Sequence, residues 1–230
     1  LKNTTINEAL QPTYFIDFNT NVIQNFIKEN TNNEQSEKQK AISLYYAVRD
    51  KIKYDPYHIV LKKENIRSSE VLIRKSGYCV EKALLLVACI RGVGIPAKIG
   101  FANVKNHLTS PRLFELMKTD IFVFHGYADI LLDGTWVKAT PAFNKSLCEK
   151  TNTLPLEFDG VNNSIFHSLD REGKKHMEYL EDFGSFDDLP FDRMLSEYNL
   201  YYPHLKINST GTFGPIKIIG DFEKEATSLL

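Results

Sequence analysis

The stretch Ser76-Gly77-Tyr78-Cys79-Val80-Glu81-Lys82-Ala83-Leu84-Leu85-Leu86-Val87-Ala88-Cys89-Ile90-Arg91, closed by Gly92-Val93-Gly94-Ile95-Pro96, decides the fold. Ala83, Leu86, Val87 and Ile90 recur at helical spacing, and two glycines and a proline follow as stop signals, so the spacing predicts a helix over 80–91 with Cys79 in its first turn. A cysteine there meets the positive end of the helix dipole and backbone N–H groups without intrahelical partners. Both favour the thiolate over the thiol, which is how a nucleophile is made. The same place also suits a cysteine that is only a small buried hydrophobe, so the rest of the chain has to separate the two.

Upstream of this helix the pattern is helical. Residues 1–20 read as an extended arm packed by Tyr14, Phe15 and Phe18, and a short helix follows over Val22 to Glu29. Asn30 to Lys40 is an exposed polar connection. Ala41, Leu44, Tyr45, Val48 and Ile52 then form an amphipathic stripe ended by Tyr54-Asp55-Pro56-Tyr57, and a shorter helix is expected around Ser68 to Arg74. Downstream the character changes to strands: Ala97 to Val104, then a long mixed connection over Lys105 to Lys118, then Ile121 to Leu132. Asp133-Gly134 is a two-residue hairpin signal, and Trp136 to Ala139 returns as a strand. Helices first and antiparallel strands second argue for α+β rather than alternating βαβ units. Beyond Asn144 the pattern weakens, with a helix expected from Arg171 to Glu181. The expected organisation is one domain over 1–230, with a core of about residues 41–143, an N-terminal arm over 1–40 and an irregular C-terminal extension over 144–230.

Bulk properties exclude several classes. The chain has 230 residues, and 28 basic against 29 acidic side chains leave a formal charge of −1, so no global field attracts nucleic acid or an anionic membrane. The longest apolar run, Ala83 to Ile90, is too short to span a bilayer, and no signal pattern opens the chain. Three cysteines with no close pair suggest neither a disulfide framework nor a zinc site. The expectations are therefore a cytoplasmic protein with no membrane or nucleic-acid partner.

A thiolate needs an imidazole, and His58, His107, His125, His167, His176 and His204 compete for that role. His125 is the best placed, in a strand and followed by Gly126, which leaves space beside the ring; it could equally be a half-buried strand residue. If Asp133 and Gly134 form a two-residue loop, Leu132 faces Thr135 and His125 faces Ala142. Thr140 then shares a face with His125 on the diagonal, about 7 Å away at the backbone, within reach of the imidazole. His107 is a reserve base from the long connection. Asp129 reads as solvent-facing, and Asp55, Asp120 and Asp159 as turn or edge carboxylates. Cys89 is expected in the core and Cys148 in a loop, exposed. Trp136 is expected to pack on the sheet, and Tyr57 and Tyr78 to pack or to line a cleft.

The blocks Gly77-Tyr78-Cys79 with Ala83 to Ala97, His125-Gly126-Tyr127-Ala128-Asp129 with Asp133-Gly134-Thr135-Trp136, and Lys138-Ala139-Thr140-Pro141 together resemble the signature of the transglutaminase-like superfamily. The resemblance covers about residues 67–143. Pro12 to Asp17, Leu44 to Asp50, Tyr54 to Tyr57, Asn106-His107-Leu108 and His176 to Tyr179 are similar to a bacterial branch of that superfamily of unassigned function. The resemblance implies a papain-like α+β fold, in which a helix carrying the nucleophile packs on an antiparallel sheet carrying the histidine. It makes Cys79 the nucleophile, His125 the base and Thr140 the third member of a catalytic triad, where the superfamily usually carries aspartate. A threonine can orient His125 but cannot stabilise an imidazolium as a carboxylate does.

The expected activity is cysteine-dependent acyl transfer through a thioester, hydrolysing peptide or side-chain amides of a peptide or protein substrate, with no cofactor and no metal. The alternative is an inactive module that keeps the fold as a binding scaffold, suggested by Thr140 in the acidic position. A metal site of Cys79, His125 and His107 matches no compact ligand spacing.

Overall fold

The helix that carries Cys79 runs through the middle of the protein with no side open to solvent. In the computed structural model, which describes residues 6–106, 111–165, 172, 177–205 and 220–225, every residue from Val80 to Arg91 is buried. A helix apolar on all sides must be enclosed on all sides. Here α1 (Asn21–Asn30), α2 (Glu37–Lys51) and α4 (Ser68–Arg74) cover one flank of α5 (Cys79–Gly92), and the sheet covers the other. The short α3 (Lys63–Ile66) packs beside α4.

The charged residues of α5 are tolerated because each has partners. The Lys82 ammonium donates to the carbonyls of Arg49 (2.9 Å) and Ile52 (2.6 Å), closing the C-terminal end of α2. Arg91 donates to three carbonyls from three segments: Ala97 (2.8 Å), Gln11 (2.7 Å) and Asp187 (2.8 Å). The N-terminal arm is held by Asp17, which accepts from Ser69 N–H at 3.0 Å and pairs with Arg67 at 2.9 Å.

The sheet is four-stranded and antiparallel, in the order β5 (Thr135–Ala139), β4 (Ile121–Leu132), β3 (Ala97–Asn106), β6 (Met177–Phe186). The hairpin register is the expected one, from Leu132↔Thr135 to Ala128↔Ala139. Asp133 and Gly134 both take positive φ, 50° and 79°, as a two-residue turn matching the strand twist requires. The α+β architecture expected from the chain is therefore the observed one. Among the described residues no helix is long and apolar enough to cross a membrane.

Three expectations are corrected. The segment read as a helix from Arg171 to Glu181 is strand β6 from Met177 onward; Arg171 and residues 173–176 lie outside the described residues. Half of its side chains are exposed and its apolar residues do not alternate, so the sequence mark of a strand is missing, and pairing with β3 makes it one. The connection over Lys105 to Lys118 contains a helix, α6 (Pro111–Met117). Cys148 is fully buried in α7 (Lys145–Lys150) rather than exposed in a loop. Cys89 is in the core as expected. Helices α8 (Phe191–Tyr201) and α9 (Phe222–Glu225) follow in the C-terminal part, with a 3-10 turn over Pro203–Leu205.

Candidate active site

Cys79 is the first residue of α5, half-buried, and its position is fixed from both sides. The Tyr78 N–H donates to the Glu81 carboxylate at 3.2 Å, and Arg74 holds the other carboxylate oxygen at 2.7 Å. This is one arm of a capping box, and it anchors the turn that carries the thiol. The two-residue strands β1 (Lys53–Tyr54) and β2 (Ser76–Gly77) pair in parallel, Tyr54 opposite Gly77, which sets Tyr54 beside the head of the helix.

His125 is placed by a break in β4. Ala102 pairs with His125 and Val104 with Phe122, so Val123 and Phe124 together oppose Asn103. The extra residue is a bulge, with Phe124 at φ 57°, and bulges re-aim the side chains next to them. The unpaired backbone groups are taken up by side chains. Phe124 N–H donates to Asn103 Oδ1 (3.1 Å) and Val123 N–H to the Tyr202 hydroxyl (2.8 Å), which itself donates to the Ile121 carbonyl (3.0 Å).

Cys79 and His125 line one cavity of about 60 Å³. Tyr54 and Tyr78 stand on the Cys79 side, while Tyr198 and Tyr202 reach it from the C-terminal part of the chain. The rest is aliphatic or aromatic, including Leu113 and Met117 of α6 and Phe122 of β4. Outside this wall, Phe222 of α9 packs edge-on against Tyr54 and Tyr57. Its neighbours Asp221, Glu223 and Glu225 pair with Lys53, Lys150 and Arg112.

Burial dominates the electrostatics. It pushes the Cys79 thiol up to about 11, although the backbone N–H groups of Gly126, Val80 and Cys79 itself pull the other way. Burial also pushes the His125 imidazole down to about 4. Burial in this wall thus opposes the thiolate that the helix start favours, and favours the neutral thiol and the neutral imidazole. Burial likewise raises Glu81 to about 7 and lowers Lys82 to about 7.

Thr140 is buried but does not line the cavity. β5 ends at Ala139, so the ladder stops before reaching the level of His125. Thr140 N–H donates to the Ser164 carbonyl (2.7 Å) and its hydroxyl to the Ile165 carbonyl (2.8 Å). Among the described residues no hydrogen bond joins Thr140 to His125, or His125 to Cys79. None of the carboxylates considered lines the cavity. Asp55 accepts from the N–H of Tyr57, Asp120 pairs with Lys105, and Asp159 closes its own turn. Asp129, expected to face solvent, is half-buried and accepts from the Ser185 hydroxyl at 3.0 Å, because β6, on the far side of β3, brings Ser185 to the same face of the sheet.

His107, the reserve base, lies outside the described residues, as do His167 and His176. His58 meets Asp55 at the surface, and His204 meets the Leu116 carbonyl at 2.9 Å. Among the described residues no group of three or more His, Cys, Asp or Glu side chains is arranged to hold a metal. Tyr198 and Tyr202 were missed by sequence reasoning. They sit more than a hundred residues from Cys79, and nothing in the chain marks them beyond their spacing of four residues at the end of α8.

No curated protein matches the chain. A crystal structure of a "putative cysteine protease" from Cytophaga hutchinsonii superposes with a TM-score of 0.46 and 14% identity, over 79% of this chain and 54% of that one. The chain thus spans about half the length of that protein. The model of the transglutaminase-like superfamily matches residues 24–141, from α1 to just beyond Thr140. With a match over more than half of its length, on a helical and antiparallel core of the kind described above, the chain belongs to the transglutaminase-like superfamily.

Proposed function

We propose that the chain is a cysteine-dependent acyl-transfer enzyme that hydrolyses peptide or side-chain amide bonds in a peptide or protein substrate. The observation that carries this reading is that Cys79, at the head of α5, and His125, at the bulge of β4, line the same cavity. In the proposed reaction Cys79 Sγ attacks the amide carbonyl while His125 takes the thiol proton, so the thiolate forms only as the bond does. The oxyanion is met by backbone N–H groups at the start of α5. His125 then gives its proton to the leaving amine as the C–N bond breaks, leaving a thioester. Water, deprotonated by His125, attacks that thioester and releases the acid and the free thiol.

A neutral thiol beside a neutral imidazole suits general-base attack better than a preformed ion pair. Thr140 is the third residue of the reading: its hydroxyl proton goes to Ile165, so only its lone pairs remain for an imidazole N–H. The deciding experiment is release of a fluorescent amine from peptide amides by wild type, Cys79→Ala and His125→Ala. Turnover that survives Cys79→Ala overturns the proposal.

The second reading, a scaffold without chemistry, is favoured by the absence of a carboxylate among the described residues of the cavity wall. It requires that no amide or ester be turned over and that Cys79 alkylation be indifferent to His125→Ala.

A further inference from the structure

The wall of the cavity carries a second piece of information, which concerns the substrate. Apart from Cys79, His125 and tyrosine hydroxyls, the lining is aliphatic, aromatic or proline: Ile59, Leu113, Leu116, Met117 and Leu205 are typical. The Tyr202 hydroxyl is occupied by Val123 N–H and the Ile121 carbonyl, and the Tyr78 hydroxyl is turned to Met194. Among the described residues no carboxylate, ammonium, guanidinium or side-chain amide faces the space. A carboxamide or charged group entering it would give up water for few partners, whereas an apolar group would be favoured by its own desolvation.

Size narrows the class. A cavity of about 60 Å³ holds on the order of four to six water-sized atoms. The reacting carbonyl shares that space, since Cys79 and His125 both line it, so what is left suits a compact side chain better than an indole. Because Cys79 is itself part of the wall, a substituent one bond from the acyl carbon lies inside the space.

We propose that the acyl group taken up by Cys79 carries a compact aliphatic side chain, of valine to leucine size, next to the reacting carbonyl, so that cleavage falls after an aliphatic residue. This rests on the acyl-transfer reading above. The groups setting the preference are Leu113, Leu116 and Met117 of α6, with Tyr198 and Tyr202.

The test is a series of N-acetyl aminoacyl chloromethyl ketones that differ only in the side chain: Val, Leu, Gln, Glu, Lys and Trp. In each, Cys79 Sγ bonds to the methylene carbon, chloride leaves, and the thiol proton passes to His125 or solvent. The rate of labelling of Cys79 is read by intact mass on the full chain. Val and Leu should label at least ten-fold faster than the other four. Rates within three-fold of one another, or Gln, Glu, Lys or Trp matching Leu, overturn the proposal. The same side chains as coumarin amides test the underlying reading separately. Cys79-dependent turnover without the ranking leaves the enzyme standing and removes the pocket assignment. Ranked labelling without any turnover keeps the pocket and overturns hydrolysis.

Discussion

Gly126 of β4 lies so close to the first turn of α5 that a β-carbon on it would stand 2.8 Å from Val80 Cα and 3.3 Å from the Cys79 carbonyl oxygen. Both neighbours are backbone and cannot swing aside, so the strand bearing His125 approaches the helix bearing Cys79 only because this residue has no side chain. Gly126→Ala should cost about 1–3 kcal/mol. For a chain of this size that lowers the melting temperature by roughly 2–4 °C per kcal/mol. Turnover should fall further than stability does, since the strand must move away from the thiol; thermal melts and kcat on one preparation check both.

Cys79→Ala should reduce amide hydrolysis to background, and His125→Ala should reduce it by about 10²–10⁴-fold. Both variants should melt close to wild type, which separates lost chemistry from lost fold.

With the thiol held up to about 11 and no ion pair to His125, alkylation of Cys79 by iodoacetamide should quicken about ten-fold per pH unit from 7 to 10. No plateau is expected near neutrality. A plateau there that His125→Ala abolishes would mean that a thiolate–imidazolium pair exists at rest.

Among the described residues no hydrogen bond joins Thr140 to His125, so its part in the reaction requires that substrate draw the imidazole toward the free lone pairs of its hydroxyl; on that reading Thr140→Val lowers kcat by up to about ten-fold, with little change in KM. It also leaves the Ile165 carbonyl without the Thr140 donor, so a modest loss of stability accompanies it. Unchanged kcat would reduce the catalytic group to Cys79 and His125.

Burial of His125 predicts an acid-sensitive arm of stability. The unfolded chain takes up a proton near pH 6.5, whereas the folded imidazole resists until about 4. Stability therefore falls as pH drops from about 6.5 to about 4, by up to about 3 kcal/mol. His125→Asn should flatten that slope relative to wild type in urea titrations at pH 7, 5.5 and 4.5. Glu81, raised to about 7, acts with the opposite sign, but equally in both proteins, so it cancels in the difference.

Local patterning made much of the fold readable. The apolar run of α5, the stripe on α2 and the Asp133-Gly134 turn are each determined within a few residues, and the hairpin register follows from the turn. β6 was not readable, because an edge strand with exposed side chains has no alternation, and its pairing with β3 is a tertiary choice. Cys148 looked exposed because its burial comes from elements far away in the chain. The site was legible to the same degree. Cys79 and His125 are flagged by helix start and strand, while the ionisation of both depends on burial, in a wall that residues far along the chain such as Tyr198 help to line. The diagonal from Thr140 to His125 holds only for a regular ladder, and the bulge at Phe124 and the end of β5 at Ala139 interrupt that regularity.

Arg91 gathers the carbonyls of Gln11, Ala97 and Asp187 around one buried guanidinium. Losing any one segment leaves that charge short of a partner in the interior, a cost larger than that of the bond itself. Fraying is therefore shared between distant parts of the chain. Amide protons of the N-terminal arm and those at the end of β6 should exchange with solvent through a common opening rather than independently.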